Sequence, residues 1–268
     1  GTSMPEFVVN MVSVANGATE LAITNVLGSN IINIFIILGL SAVVYPIASQ
    51  KRSRHFDIPY SILAAIVVLV CVLINGDGIN RAAGIVMVIL FVVFLYNTFK
   101  NAKSTDNPQE ETIVAQPQPA WKALIAIVGG LLGLIIGGEL IVKSAVDIAT
   151  RLGVSEAIIG LTIVALGTSL PELATSVIAA TKKNADIALG NVVGSNIFNI
   201  FLILGTSAVI KPLPAYQGLA VDACMAAVGS VLVWLFIQTN RKRKLTRWGG
   251  ATLLLCYAAY LTYRIVTL

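Results

Sequence analysis

Apolar residues run through this chain in long blocks separated by short polar stretches. A helix needs about 20 apolar residues to cross a bilayer. Blocks of that size read at about 19–45, 57–75, 79–99, 121–149, 154–181, 185–210, 215–238 and 247–267, and residues 1–16 form a shorter one. The segment 100–120 is polar and carries Pro108, Pro117 and Pro119, so it reads as a linker. The pattern predicts an all-α integral membrane protein. Its parts are 1–99, a linker over 100–120, and 121–268, with eight full spans and one partial span.

The polar interruptions inside the blocks repeat. Gly1-Thr2-Ser3-Met4-Pro5-Glu6 recurs as Gly167-Thr168-Ser169-Leu170-Pro171-Glu172. Gly28-Ser29-Asn30-Ile31-Ile32-Asn33 recurs as Gly194-Ser195-Asn196-Ile197-Phe198-Asn199. An offset of 166 residues aligns 1–46 with 167–212 without a gap, with 22 of 46 positions identical. Two unrelated greasy helices would match at Leu, Ile and Val. These match at Gly, Ser, Asn, Pro and Glu, the signature of an internal repeat with a shared polar site. Residues 121–166 have no counterpart before Gly1, so the repeat predicts roughly 45 further residues upstream in the complete protein.

Composition agrees with a membrane chain. It is 57% hydrophobic and 12% charged with mean hydropathy +0.87, against about 25% charged residues in soluble domains. The net charge of +5 follows from topology rather than nucleic acid. Alternating the loops puts Lys51, Arg52, Arg54, Lys100, Lys103, Lys122, Lys182, Lys183, Arg241, Lys242, Arg243, Lys244 and Arg247 on one side, and Arg81, Arg151, Lys211 and Arg264 on the other. The richer side is cytoplasmic by the positive-inside rule. The linker is then cytoplasmic, the C-terminus external, and the two repeats inverted because five spans separate them. The basic run 241–247 reads as a topology anchor. Cys71, Cys224 and Cys256 stand far apart in apolar runs and read as small buried hydrophobes. His55 reads as a solvated loop residue. Glu139, Lys143 and Asp147 are expected to neutralise one another near the external end of their span, and Gly129, Gly133 and Gly137 to pack against a helix.

Glu6 and Glu172 carry the chemistry. An acid at mid-bilayer costs about 2.5–3.5 kcal/mol, and no basic residue lies near either one in sequence. A cation from solution is the natural partner. Pro5 and Pro171 each remove a helical donor and free carbonyl oxygens, which persist in a membrane only where they line a cavity or bind something. Ser3 shares a helix face with Glu6, and Ser169 with Glu172. Asn25, Ser29 and Asn33 form one polar stripe, and Asn191, Ser195 and Asn199 another. Asn25, Asn30, Asn191 and Asn196 also suit interhelical hydrogen bonding, and Gly28 and Gly194 suit close packing. Together the four elements can enclose an all-oxygen site with formal charge −2, which hard cations prefer. The chain carries no catalytic triad, phosphate loop or redox pair, so no enzymatic activity and no cofactor is expected.

At these residues the chain resembles the cation/calcium exchanger superfamily, the sodium/calcium antiporters of prokaryotic type, whose two repeats carry GTSxPE and GSNxxN or GSNxxD. The resemblance covers essentially the whole chain. It implies ten helices in inverted five-helix repeats when complete, and exchange of about three sodium ions for one calcium. It implies Glu6 and Glu172 as central ligands. Thr2, Ser3, Thr168 and Ser169 would add hydroxyl or carbonyl oxygens, and Ser29, Asn33, Ser195 and Asn199 would complete the sites. Asparagine at 199, where potassium-dependent members have aspartate, argues against potassium dependence. The short linker implies no calcium-sensing domain. The expected function is sodium/calcium antiport in the cell membrane by a monomer in contact with lipid. The rival is a proton-coupled cation exchanger. A passive cation channel or a membrane scaffold fits the paired buried glutamates less well.

Overall fold

The computed structural model describes residues 2–76, 78–102 and 159–267, with isolated helical positions between 121 and 153. Its helices are α1 (Met4–Ala15), α2 (Thr19–Val44), α3 (Ser53–Ile74), α4 (Arg81–Ala102), α5 (Leu161–Thr168), α6 (Leu170–Thr181), α7 (Ala185–Ile210), α8 (Leu219–Thr239) and α9 (Arg247–Thr267). Two-residue strands lie between them: β1 (Ile47–Ala48), β2 (Gly78–Ile79), β3 (Leu213–Pro214) and β4 (Lys244–Leu245). Among the described residues, five helices are long and apolar enough to cross a membrane, or six if the bent pair α5–α6 is one span.

The 166-residue offset seen over 46 positions holds for the starts of four helix pairs and of both strand pairs, and their ends agree within one residue. Helices α1 and α6, α2 and α7, α3 and α8, and α4 and α9 each start at equivalent positions. The strand pairs show that the repeats are inverted. β1 pairs antiparallel with β4, and β2 with β3. Helix α3 runs from the β1–β4 pair to the β2–β3 pair, and α8 runs back the other way. A 22-residue helix separates those ends by about 33 Å, roughly one hydrocarbon core.

The loops group as the charge count requires. Arg247 Nη2 donates to the Val44 carbonyl, and Gln50 Nε2 to Asp186 Oδ2, which gathers the loops after α2, before α7 and before α9 at the β1–β4 end. At the other end Arg81 Nη2 donates to the Ile210 carbonyl, and Lys211 Nζ approaches Gly17.

The repeats are interlocked. Helix α4 of the first crosses α7 of the second, and α9 of the second crosses α2 of the first. Glycines set both crossings: a Cβ on Gly84 would lie 2.7 Å from the Gly205 carbonyl oxygen, and one on Gly250 would lie 2.6 Å from that of Gly39. Gly39 and Gly205 are equivalent, as are Gly84 and Gly250. Small residues let helix backbones approach where lipid offers no hydrophobic drive. Gly28 plays the same part against Leu161 and Ala165 of α5, whereas equivalent Gly194 meets nothing within 4 Å among the described residues. Gly129 and Gly133 likewise meet nothing there, and Gly137 lies outside the described residues.

Polarity is arranged inside out. Leu73, Ile89, Val92 and Leu255 face outward, while Glu6, Asn25, Asn33, Glu172 and Asn199 are fully enclosed. That is the arrangement of a bundle whose solvent is lipid.

Several expectations need correction. Cys224 is exposed, and Cys71 and Cys256 only half-buried, because apolar surface in this fold faces out as often as in. His55 is exposed but sits in the first turn of α3, not in a loop. Arg264 is no loop charge: it is buried inside α9 and paired with Asp222 at 2.9 Å. Asp147 pairs with Arg151 at 2.9 Å, while Glu139 lies outside the described residues. So does the linker from 103 to 120.

Candidate ion-binding site

Each Pro-Glu motif starts a helix. Pro5 and Pro171 occupy the first turn of α1 and α6, where a missing N–H costs nothing and the fixed φ is already helical. Pro171 also ends α5, and the chain bends by 59° between α5 and α6. Glu6 and Glu172 fall in the first turns that follow, where the positive end of the helix dipole favours a carboxylate.

The two motifs meet crosswise at the centre. Ser3 Oγ donates to Glu172 Oε1 at 2.8 Å, and Ser169 Oγ donates to Glu6 Oε1 at 3.1 Å. Ser195 Oγ adds a second bond to Glu172 Oε1 at 3.1 Å. Neither Glu6 Oε2 nor Glu172 Oε2 has a hydrogen-bond partner among the described residues. No ion pair there involves either acid.

The polar stripes of α2 and α7 face the motifs. Thr168 Oγ1 lies 3.3 Å from Ser29 Oγ and donates to Asn25 Oδ1 at 3.3 Å. Thr2 Oγ1, half-buried, donates to Asn191 Oδ1 at 3.1 Å. Where α2 crosses α7, the asparagines bond in pairs. Asn30 Nδ2 donates to the Asn196 carbonyl, and Asn196 Nδ2 to the Asn30 carbonyl, both at 3.2 Å. Asn33 Nδ2 donates to Asn196 Oδ1 at 3.0 Å, and Asn199 Nδ2 to Asn30 Oδ1 at 3.1 Å. Asn30 and Asn196 therefore serve the helix crossing, and they fix the amide groups of Asn33 and Asn199. The Oδ1 atoms of Asn33 and Asn199 have no donor among the described residues.

Of the ten predicted site residues, Glu6, Ser29, Asn33, Glu172, Ser195 and Asn199 lie on α1, α2, α6 and α7, Thr168 ends α5, and Thr2, Ser3 and Ser169 stand just before α1 and α6. Sequence reasoning missed two features. Helices α2 and α7 widen into π-helical turns over Asn33–Leu38 and Phe198–Leu204, a distortion common at functional sites and without a residue signature in these runs. Ser176 also faces a stripe from one turn beyond Glu172, and its equivalent Asn10 is fully buried one turn beyond Glu6. Asn191 Nδ2 donates to Ser176 Oγ at 3.0 Å.

A broken helix and inverted repeats that enclose two carboxylates with no ion pair among the described residues define a membrane transporter. The profile of the sodium/calcium exchanger protein family matches residues 1–100 and 122–266. The chain is 34% identical over 267 residues to the putative antiporter CaxA of Alkalimonas amylolytica, covering 97% of this chain and 83% of that protein. It is 30% identical over 298 residues to the sodium/calcium exchanger MaX1 of Methanosarcina acetivorans, covering 97% and 85%. Among solved structures, the sodium-calcium exchanger NCX_Mj soaked with Na+ and Ca2+ superimposes with TM-score 0.79 at 34% identity, covering 98% of this chain and 82% of that one. The chain belongs to the sodium/calcium exchanger family, a multi-pass antiporter family of the membrane and not an enzyme family.

Proposed function

We propose that this chain exchanges sodium for calcium across the membrane by alternating access at a mid-membrane site made wholly of oxygens. The ligands are Glu6 and Glu172, the hydroxyls of Thr2, Ser3, Thr168, Ser169, Ser29 and Ser195, and the amide oxygens of Asn33 and Asn199. One observation carries this reading. Two enclosed carboxylates are tied crosswise by the serines of each other's motifs, and each keeps one oxygen without a donor or a basic partner among the described residues.

Uncompensated negative charge is costly in a medium of low dielectric. One calcium or several sodium ions neutralise the pair, and both sets together overcharge it. The site therefore binds them in competition. Without ions, the doubly negative centre resists closure into a dry barrier; with either set it closes and reopens on the other side. That rule couples the two fluxes. Hard oxygen donors suit both ions, and six to eight of them suit calcium. The carboxamides of Asn33 and Asn199 add oxygen without charge, which keeps the site at −2. Exchanging three sodium ions for one calcium would move one net charge, worth about 2.3 kcal/mol per 100 mV. The monomer contains both halves of the site.

The test is sodium-gradient-driven calcium-45 uptake into proteoliposomes holding the intact protein. Uptake driven by an outward sodium gradient, and not by a pH gradient at constant sodium, is the expected result. Uptake that follows only the pH gradient overturns the sodium coupling.

A further inference from the structure

The two halves of the site differ at the equivalent positions 10 and 176. In the second repeat, Asn191 Nδ2 is held by Ser176 Oγ at 3.0 Å and by the Glu172 carbonyl at 3.3 Å. The equivalent residues in the first repeat are Asn25 and Asn10, so a serine is replaced by a larger carboxamide. Asn10 is fully buried, yet neither its Oδ1 nor its Nδ2 has a partner among the described residues. Asn25 accepts from Thr168 at Oδ1, while its Nδ2 has no partner there either.

Leaving a buried polar group unsatisfied works against stability, and each such group in a native fold calls for a reason. The position of Asn10 supplies one. It follows Glu6 by four residues in α1, so the two side chains share a helix face. Glu6 Oε2 is itself without a donor. Glu6 and Asn10 thus stand a turn apart along α1, Asn10 on the side of the loop after that helix. That loop lies at the Lys211 end, the end with fewer basic residues.

We propose that Asn10 Oδ1 and Glu6 Oε2 form an outer subsite for a partly hydrated sodium or calcium ion on that face of the membrane. The inference rests on the exchange reading above. Amide oxygens are ordinary ligands of hard cations, and the free amide N–H groups of Asn10 and Asn25 suit the waters such an ion still carries. The second repeat has no counterpart, because Asn191 already engages Ser176. The two faces therefore bind ions unequally, and the inequality is written in one residue.

The experiment measures half-saturating calcium for calcium-45/calcium exchange from each face separately, in proteoliposomes with the intact protein in one orientation. Asn10→Ser, which copies the second repeat, is expected to raise half-saturation at the Lys211 face by on the order of five- to tenfold and to leave the other face within about twofold. Asn10→Asp, which keeps the oxygen, is expected to retain tight binding at the Lys211 face. An equal rise on both faces, or none on either, overturns the subsite, as does Asn10→Asp behaving like Asn10→Ser. A merely structural role for Asn10 would lower thermal stability without this sidedness. Absence of any sodium-dependent exchange in the unmodified protein would instead sink the exchange reading.

Discussion

Ser3 Oγ donates to Glu172 Oε1 at 2.8 Å across 169 residues of sequence. Its mirror image, Ser169 to Glu6, closes at 3.1 Å. Each repeat thus orients the other's acid, so neither half holds a complete site. In the exchange reading proposed above, the same hydroxyl oxygens would turn from donors into ligands when an ion binds. Ser3→Ala and Ser169→Ala should each weaken apparent calcium affinity roughly tenfold, since a hydrogen bond to a charged group contributes about 1.5–3 kcal/mol. Threonine at either position should retain most of the affinity. Calcium titration of the purified variants checks both outcomes.

Asp222 and Arg264 form a buried pair that the first repeat lacks. Arg264 Nε lies 2.9 Å from Asp222 Oδ1, and Tyr216 and Tyr260 donate to the same carboxylate at 2.6 and 2.7 Å. Gly218, at φ +91°, has no room for a Cβ because the guanidinium stands there. The equivalent first-repeat residues are Phe56, Thr98, Gln50 and Phe94, and Phe56 stacks on Phe94. Breaking a buried pair from one side leaves a stranded charge and costs about 3–5 kcal/mol. Asp222→Asn should lower the melting temperature in detergent sharply, with half-saturating calcium unchanged in the surviving protein. The double change Asp222→Phe with Arg264→Thr, copying the first repeat, should recover much of the loss. Thermal unfolding with and without calcium measures both.

The glycine crossings should tolerate no side chain. Gly84→Ala puts a methyl 2.7 Å from the Gly205 carbonyl oxygen, and overpacking of this kind costs about 1–3 kcal/mol. Gly250→Ala should cost a similar amount by symmetry, and Gly190→Ala, with nothing within 4 Å of its Cβ among the described residues, much less. Relative melting temperatures of the three variants test the ranking.

Asn30 and Asn196 hold α2 against α7 by reciprocal bonds to each other's backbone. They also fix Asn33 and Asn199, whose Oδ1 atoms are left free. Asn30→Ala should therefore loosen the amide of Asn199 and reduce calcium affinity, although residue 30 is not itself a proposed ligand. A double-mutant cycle between Asn30→Ala and Asn199→Ala should show strong coupling; additive losses would mean that the two residues act independently.

The sequence made the centre of this molecule legible and its periphery much less so. Over residues 1–46 the repeat survives at Gly, Ser, Asn, Pro and Glu because a shared polar site in lipid allows few substitutes. Beyond Pro46 the equivalents that still match are Val67, Leu69, Arg81, Gly84 and Leu95. Lipid-facing positions demand only apolarity, so Leu, Ile, Val and Phe interchange there and erase the likeness while the backbone keeps it. Gly84 persists for the packing reason given above. The Asp222–Arg264 pair was hidden because its members stand 42 residues apart, and an arginine near a helix end looks like a topology signal. The π-helical turns left no trace because Ile, Phe and Leu fit either backbone equally.

The central claim is that both acids hold one ion set together. Calorimetric calcium titration of purified protein with Glu6→Gln, Glu172→Gln and both changes tests it most directly. Each single change should abolish measurable calcium binding, and the double change should add nothing further. Retention by either single variant of a fraction of the sites at unaltered affinity would contradict it, because each acid would then serve a site of its own.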